Sequence, residues 1–131
     1  MNSLTMLNPE GWARPSGYSN GVLTANGILF VAGQIGWDAE GRFSDDFVGQ
    51  VRQTLSNIVA VLASSGARPE QITRLTWYVT DRNAYKKRLS EIGLVYREVI
   101  GRHFPAMAVV EVSGLLEDAA QIEIEATAVV G

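Results

Sequence analysis

The chain has 131 residues, a formal net charge of −3 and no cysteine, and 47% of its residues are hydrophobic. This length suits a single domain over residues 1–131, and the apolar content is too high for a disordered chain. The missing cysteines exclude disulfides, zinc–thiolate sites and a cysteine nucleophile. The acidic balance argues against nucleic acid as a partner. No apolar run approaches the roughly 18 residues of a membrane span, and the first residues lack a signal-peptide pattern, so a cytoplasmic protein without membrane contact is expected.

The first periodic segment predicts a β-hairpin. Strands are expected at Val22–Ala25 and Ile28–Ala32. Between them, the dipeptide Asn26-Gly27 favours the positive φ angles that a two-residue turn needs. The residues up to Gly17 show no such periodicity and are expected to be irregular, as is the segment 36–42.

Two amphipathic helices are predicted. In the first, apolar residues recur at intervals of three and four between Phe47 and Leu62, and Ser44 is placed to cap its start. The second runs from about Asn83 to Ile100, with Asp81 as its cap. A glycine follows each helix, where the left-handed conformation can end it.

Three further strands complete the predicted order β-β-α-β-α-β-β. They are expected at Ile72–Val79, Ala106–Ser113 and Gln121–Val130, and the first of them is rich in β-branched and aromatic residues. Two helices would cover one face of a mixed or antiparallel sheet. The fold class is therefore α+β, as a single two-layer domain.

The strand that begins at Ile28 has apolar side chains on both faces, because successive strand residues point in opposite directions. Helices are available for only one face, so a second copy of the chain would cover the other. Alternatively, these are scattered exposed apolar residues of the ordinary kind. The alternation assigns Leu29, Val31 and Ile35 to one face and Ile28, Phe30 and Ala32 to the other.

The last strand carries two carboxylates on the face opposite its apolar residues. Glu123 and Glu125 alternate with Ile122 and Ile124, so the glutamates point away from the helices. A carboxylate buried there would be costly unless paired, and such groups often transfer protons. Alternatively, both glutamates lie at the solvated rim of the sheet.

Six short segments occur in an order and spacing that resembles the RidA/YjgF (reactive intermediate deaminase) family, from about residue 15 to residue 130. The resemblance implies a chorismate-mutase-like domain that forms a homotrimer with clefts at the subunit interfaces. Its best-known members hydrolyse enamines and imines such as 2-aminoacrylate to a keto acid and ammonia, without metal or cofactor. The segments are Tyr18-Ser19-Asn20-Gly21, Val31-Ala32-Gly33-Gln34-Ile35, Gln50-Val51-Arg52-Gln53-Thr54-Leu55-Ser56-Asn57-Ile58, Val79-Thr80-Asp81, Phe104-Pro105-Ala106 and Ile122-Glu123-Ile124-Glu125-Ala126.

The resemblance implies a role for each matching position. Glu123 matches the glutamate that positions or activates the hydrolytic water, and Tyr18 matches a tyrosine that reaches into the neighbouring subunit's cleft. Gly33 matches a cleft position where a missing side chain lets a ligand approach the backbone. Ala32 stands where serine or threonine is common. Met107 stands where deaminating members carry the arginine that binds the substrate carboxylate.

Methionine cannot form the bidentate pair that arginine makes with a carboxylate. Three other residues are open candidates for the same cleft. Arg14 either replaces the missing arginine or is a surface residue; Trp37 either forms a stacking wall or is structural. His103 either transfers protons at the cleft mouth or lies in a solvated loop.

Three functions are considered. The first is hydrolysis of an enamine or imine other than 2-aminoacrylate, using Glu123 and water without metal or cofactor. The second is a non-catalytic, small-molecule-binding or regulatory trimer. The third is an endoribonuclease, against which the acidic balance argues.

Overall fold

The computed structural model of the chain describes residues 3–131. Its elements are β1 (Leu4–Leu7), β2 (Gly21–Thr24), β3 (Ile28–Ile35), α1 (Phe47–Ala63), β4 (Ile72–Val79), α2 (Arg82–Lys87), α3 (Leu89–Val99), β5 (Ala106–Glu111) and β6 (Ile122–Val129). The strands form one six-stranded sheet in the order β1-β2-β3-β6-β4-β5, in which only β4 and β5 run parallel. A 3-10 turn at Pro69–Gln71 leads into β4.

The main hydrophobic core lies between the sheet and the two longer helices. Residues Leu55 and Ile58 of α1 and Ile92 of α3 are buried there, with Trp77 of β4 and Ile124 of β6 beneath them. The α+β fold with helices on one face of a mixed sheet is confirmed. We call the sheet face turned away from these helices the open face.

The first strand, β1, was not predicted. It pairs antiparallel with β2, although its segment was expected to be irregular. Only Leu7 of its four residues is buried, while Leu4 and Met6 are exposed. Backbone pairing with β2, rather than a local apolar pattern, therefore holds this strand in the sheet.

The hairpin between β2 and β3 has a three-residue loop instead of the expected two-residue turn. Gly27 has a φ of 92°, but no non-glycine residue has a positive φ. The amide of Gly27 donates to the carbonyl of Thr24 at 3.1 Å. This is a type I turn followed by a left-handed glycine, which needs only one positive φ angle.

The cap of α1 differs from the prediction. Asp46, not Ser44, is the N-cap, and its Oδ2 accepts a hydrogen bond from the amide of Gly49 at 3.1 Å. The Ser44 hydroxyl instead accepts from the amide of Asp46. Ser44 thus orders the residues that precede the helix, and the carboxylate two residues later satisfies the helix terminus.

The predicted second helix is divided in two. Asp81 caps α2 as expected, accepting from the amides of Asn83 and Ala84. At Arg88 the backbone leaves helical geometry, with φ −116° and ψ 20°. The guanidinium of Arg88 bonds Glu91 and Asp46, which links the break to the start of α1.

A β-bulge in β3 changes which side chains face the core. Val31 pairs with Ala126 but Gln34 pairs with Ile124, so β3 has one more residue than β6 across this interval. One extra residue reverses the alternation beyond it. Gln34 therefore points to the helices and Ile35 to the open face, so the assignment of Ile35 to the face of Val31 was wrong.

The open face is apolar at its margins and polar at its centre. The polar centre comprises Arg74, Thr76 and Tyr78 of β4 with the glutamates of β6. The exposed apolar side chains at its margins are Leu4, Met6, Phe30, Val110 and Val129. No helix in the part of the chain that the structure describes is long and apolar enough to cross a membrane.

Candidate functional site

The β-bulge brings Gly33 against Glu123. A Cβ built on Gly33 would lie 2.5 Å from Oε2 of Glu123 and 2.8 Å from its carboxyl carbon. Real Cβ atoms do not approach other atoms this closely, so the carboxylate occupies the space of the absent side chain. Two of the residues predicted for the site are thus in direct contact within one chain.

The position of Glu123 alters its acidity. The side chain is half-buried on the open face, and β6 places it opposite Tyr78 of β4. Burial raises the pKa of the Glu123 carboxyl, and the negative charge of Glu125 raises this pKa further. A carboxyl group with a raised pKa is better suited to exchange protons near neutral pH than an ordinary glutamate.

Tyr78 is a site residue that the sequence analysis missed. Its hydroxyl donates a hydrogen bond of 2.7 Å to Oε1 of Glu125. This bond raises the pKa of the Tyr78 hydroxyl, with burial as the second cause. Tyr78 lies on the open face opposite Glu123, and only the pairing of β4 with β6 shows that its hydroxyl reaches Glu125.

Ala32 lies beside a cavity of about 340 Å³ on the open face. Arg74, Glu125, Ser19 and Phe30 also line this cavity. Arg74 was not predicted as a site residue. The only feature of the sequence that could have indicated Arg74 is its positive charge in a strand that is otherwise without charged residues.

Met107 does not lie next to Glu123 within one chain. It pairs with Leu75 across the parallel β4–β5 ladder, and paired residues share a face. Leu75 faces the helices, whereas Glu123 pairs with Tyr78 on the open face. Met107 is 41% exposed on the edge strand, so it can line a common cleft with Glu123 only if a second chain completes it.

Tyr18, Trp37 and Arg14 come together in a different place. They line a cavity of about 520 Å³, with Trp12 and Asn57 among its other residues. Tyr18 is 53% exposed there. The predicted site residues therefore lie in four places on one chain: Glu123 with Gly33, Ala32 in the open-face cavity, Tyr18 with Trp37, and Met107 on the edge strand β5.

His103 has structural contacts. Its Nε2 lies 2.6 Å from the carbonyl oxygen of Ile72, and its own carbonyl accepts a hydrogen bond from the Tyr96 hydroxyl at 2.6 Å. Burial raises the pKa of Tyr96 to about 12. His103 thus fixes the segment that leads into β5, and it lines neither cavity.

Buried amide side chains hold the loops around the site. Asn57 donates to the carbonyls of Ile35 and Trp37, both at 2.9 Å. Gln50 of α1 donates to the carbonyl of Ala119 and accepts from the amide of Gln121. Among residues 3–131, no three histidine, aspartate or glutamate side chains come together as a metal site would require.

Comparison with known proteins gives matches over nearly the whole chain. A family model described as Endoribonuclease L-PSP matches residues 12–130. A RutC family protein of Pyrococcus horikoshii is 37% identical over 121 residues, covering 91% of this chain and 92% of the relative. A 2-iminobutanoate/2-iminopropanoate deaminase of Salmonella typhimurium is 33% identical, covering 97% of this chain and 98% of the relative. The crystal structure of Escherichia coli TdcF with bound serine superposes with a TM-score of 0.82 at 26% identity, covering 97% of this chain and 99% of that one.

Proposed function

Because the chain belongs to the RidA/YjgF family, which includes imine deaminases, we propose that it hydrolyses an enamine or imine. The products are a carbonyl compound and ammonia, and Glu123 transfers the protons. The observation that carries this proposal is the half-buried carboxylate of Glu123, held against Gly33 with a raised pKa.

The proposed reaction adds water to the C=N bond. The Glu123 carboxylate accepts a proton from water as the water oxygen bonds to the imine carbon, and Glu123 returns this proton to the imine nitrogen. In the resulting carbinolamine, Glu123 moves the hydroxyl proton to the amino nitrogen; the C–N bond then breaks, C=O forms and ammonia leaves. An enamine first gains a proton at carbon and loses one from nitrogen, which converts it to the imine. A single carboxyl group with a raised pKa serves both directions of proton transfer.

Met107 argues against 2-aminoacrylate as the substrate. Its thioether offers no hydrogen-bond donor to a carboxylate, and Ala32 offers no side-chain hydroxyl. A charge-assisted pair of the kind an arginine would form contributes roughly 1.5–3 kcal/mol. We therefore propose a larger or less charged imine than those named for the Salmonella relative.

We further propose that the site is completed at the interfaces of a homotrimer. The exposed apolar residues at the margins of the open face, among them Phe30 and Val129, would be covered by neighbouring chains. Glu123 and Met107 lie on opposite faces of one chain's sheet. At an interface, Glu123 of one chain and Met107 of a neighbouring chain would line the same cleft. Tyr18, exposed on its loop, would then reach a neighbour's cleft.

A second candidate is a non-catalytic protein that binds a small molecule. The residues Ala32 and Met107 favour it, because both lack the polar groups of the deaminating members. Endoribonuclease activity, which the description of the family model names, is opposed by the net charge of −3.

The test is a panel of imines and enamines generated in situ by amino acid oxidases and dehydratases. Accelerated ammonia release from any member, above the rate without protein, supports the hydrolase. Binding without acceleration across the panel would instead favour the non-catalytic candidate.

A further inference from the structure

The cavity of about 520 Å³ near the N-terminal segment has aromatic walls. Trp12, Tyr18 and Trp37 all line it; the two tryptophans are partly buried and Tyr18 is exposed. Indole and phenol rings offer flat apolar faces that suit a planar conjugated ligand. The cavity volume lies within the range of small-molecule sites, roughly 300–1,000 Å³.

Independent contacts hold these walls in place. The ring of Trp37 packs on that of Phe43 with centroids 6.0 Å apart, and Asn57 bonds the Trp37 carbonyl. Trp12 packs against the main core, and its amide donates to the carbonyl of Pro9 at 3.2 Å. The two indoles are therefore positioned before any ligand binds, which lowers the entropic cost of binding.

Side-chain amides also hold the segment that carries Arg14 and Tyr18. The Asn20 amide donates to Oδ1 of Asn8 at 2.7 Å, and the Gln34 amide donates to Oδ1 of Asn20 at 3.1 Å. Asn8 and Asn20 flank the segment on both sides. The two ends of this segment are thus joined to each other, and Gln34 links them to β3.

Arg14 is the cation of this cavity that has no carboxylate partner. Asp38 and Glu40 also line the cavity, but Arg42 bonds both, at 3.1 Å and 3.3 Å. Among residues 3–131 the ion pairs are formed by other arginines, and Arg14 is in none of them. The guanidinium remains free to bind an anionic group of a ligand.

We infer that this cavity binds a planar aromatic or conjugated carboxylate, with the ring between the indoles of Trp12 and Trp37 and the carboxylate on Arg14. Because Tyr18 also belongs to the proposed imine site, the inference rests on the proposed function where it names a substrate class. Binding itself can be measured without turnover.

The test uses isothermal titration calorimetry with three probes. They are 2-aminobenzoate, its neutral amide 2-aminobenzamide, and cyclohexanecarboxylate, which has the charge without the aromatic face. We expect 2-aminobenzoate to bind roughly tenfold more tightly than either other probe. Equal binding of the acid and the amide would overturn the role of Arg14.

Substitutions separate the charge from the aromatic walls. Arg14→Gln should weaken 2-aminobenzoate about tenfold and leave the amide unchanged, whereas Trp37→Leu should weaken both. Arg102→Gln is the matched control, since Arg102 is an exposed arginine outside the cavity. An Arg14→Gln variant that binds the acid as tightly as wild type would contradict the inference.

The three tryptophans report the location of binding. In a ¹H–¹⁵N spectrum, 2-aminobenzoate should shift the indole N–H signals of Trp12 and Trp37. Trp77 is 1% exposed in the core, so its signal should stay in place. Imine turnover without these shifts would overturn the ligand class and leave the proposed function intact. The shifts without imine turnover would support the ligand class and contradict the proposed function.

Discussion

The carboxylate of Glu123 packs against the α-carbon of Gly33, in a space that a Cβ on Gly33 would enter to within 2.5 Å of Oε2. The bulge of β3 creates this contact, since it places Gly33 where the strand departs from regular pairing with β6. The proposed proton-transfer group and the glycine beside it therefore form one unit, and changes to either residue should alter activity.

Gly33→Ala should displace the Glu123 side chain and reduce imine hydrolysis at least tenfold, because the new methyl group and the carboxylate cannot both fit. Activity and thermal unfolding of the variant should be measured together. Gly93→Ala in α3 is the matched control: its Cβ would meet nothing closer than 3.6 Å, and it should raise stability by about 0.5–1 kcal/mol. Wild-type activity in Gly33→Ala would show that the contact has no role in turnover.

Glu123→Gln should abolish hydrolysis while the fold is retained. The amide is isosteric but cannot accept and return the proton, and loss of such a group typically costs about 10²–10⁴-fold. Ammonia release gives the rate, and circular dichroism reports the fold. Glu117→Gln removes a carboxylate from an exposed loop residue and should leave the rate unchanged. Full activity in Glu123→Gln would remove Glu123 from the mechanism.

The pH dependence of hydrolysis should reflect both glutamates of β6. Activity requires the Glu123 carboxylate, so the rate should fall as pH decreases through its raised pKa. Glu125 contributes to that raised pKa through its negative charge. Glu125→Gln should therefore move the acidic limb of the pH–rate profile to lower pH. An unchanged limb, in a variant that remains folded and active, would show that the two carboxylates are not coupled.

Met107→Arg should create activity toward 2-aminoacrylate, for which wild type should show little or none. The residue is 41% exposed on an edge strand, so the longer side chain can be accommodated without entering the core. A serine dehydratase generates the 2-aminoacrylate, and the rate at which this compound disappears measures the effect. Met107→Lys supplies a charge without the planar fork and should gain less. Wild-type rates equal to those of the Salmonella relative would show that another cation binds the carboxylate.

The open face predicts self-association. Three chains of 14.2 kDa in a closed ring would have a mass of ~43 kDa by light scattering. Phe30→Glu would place a charge among the exposed apolar residues of this face and should dissociate the assembly. The control Leu94→Glu would place the same charge on the exposed part of α3 and should leave the assembly intact. A monodisperse monomer in the wild type would contradict the trimer and the shared site.

Local patterns of the sequence determined the two-layer fold. The three- and four-residue spacing predicts α1 and most of α2 and α3, and Asp81 caps α2 as expected. Alternation in β6 places Glu123 and Glu125 away from the helices. These features depend on neighbours within a few residues, so one segment suffices to predict them.

Only the tertiary structure decided the features that depend on pairing between distant segments. β1 forms because its backbone pairs with the free edge of β2. The bulge that turns Ile35 to the open face is visible only when β3 is aligned with β6. The contact of Gly33 with Glu123 follows from that bulge. The opposite orientation of Met107 follows from its register with β4. Strand register is set by the whole sheet, because a shift of one residue reverses every side chain, and the sequence of a single strand carries too little information to specify it.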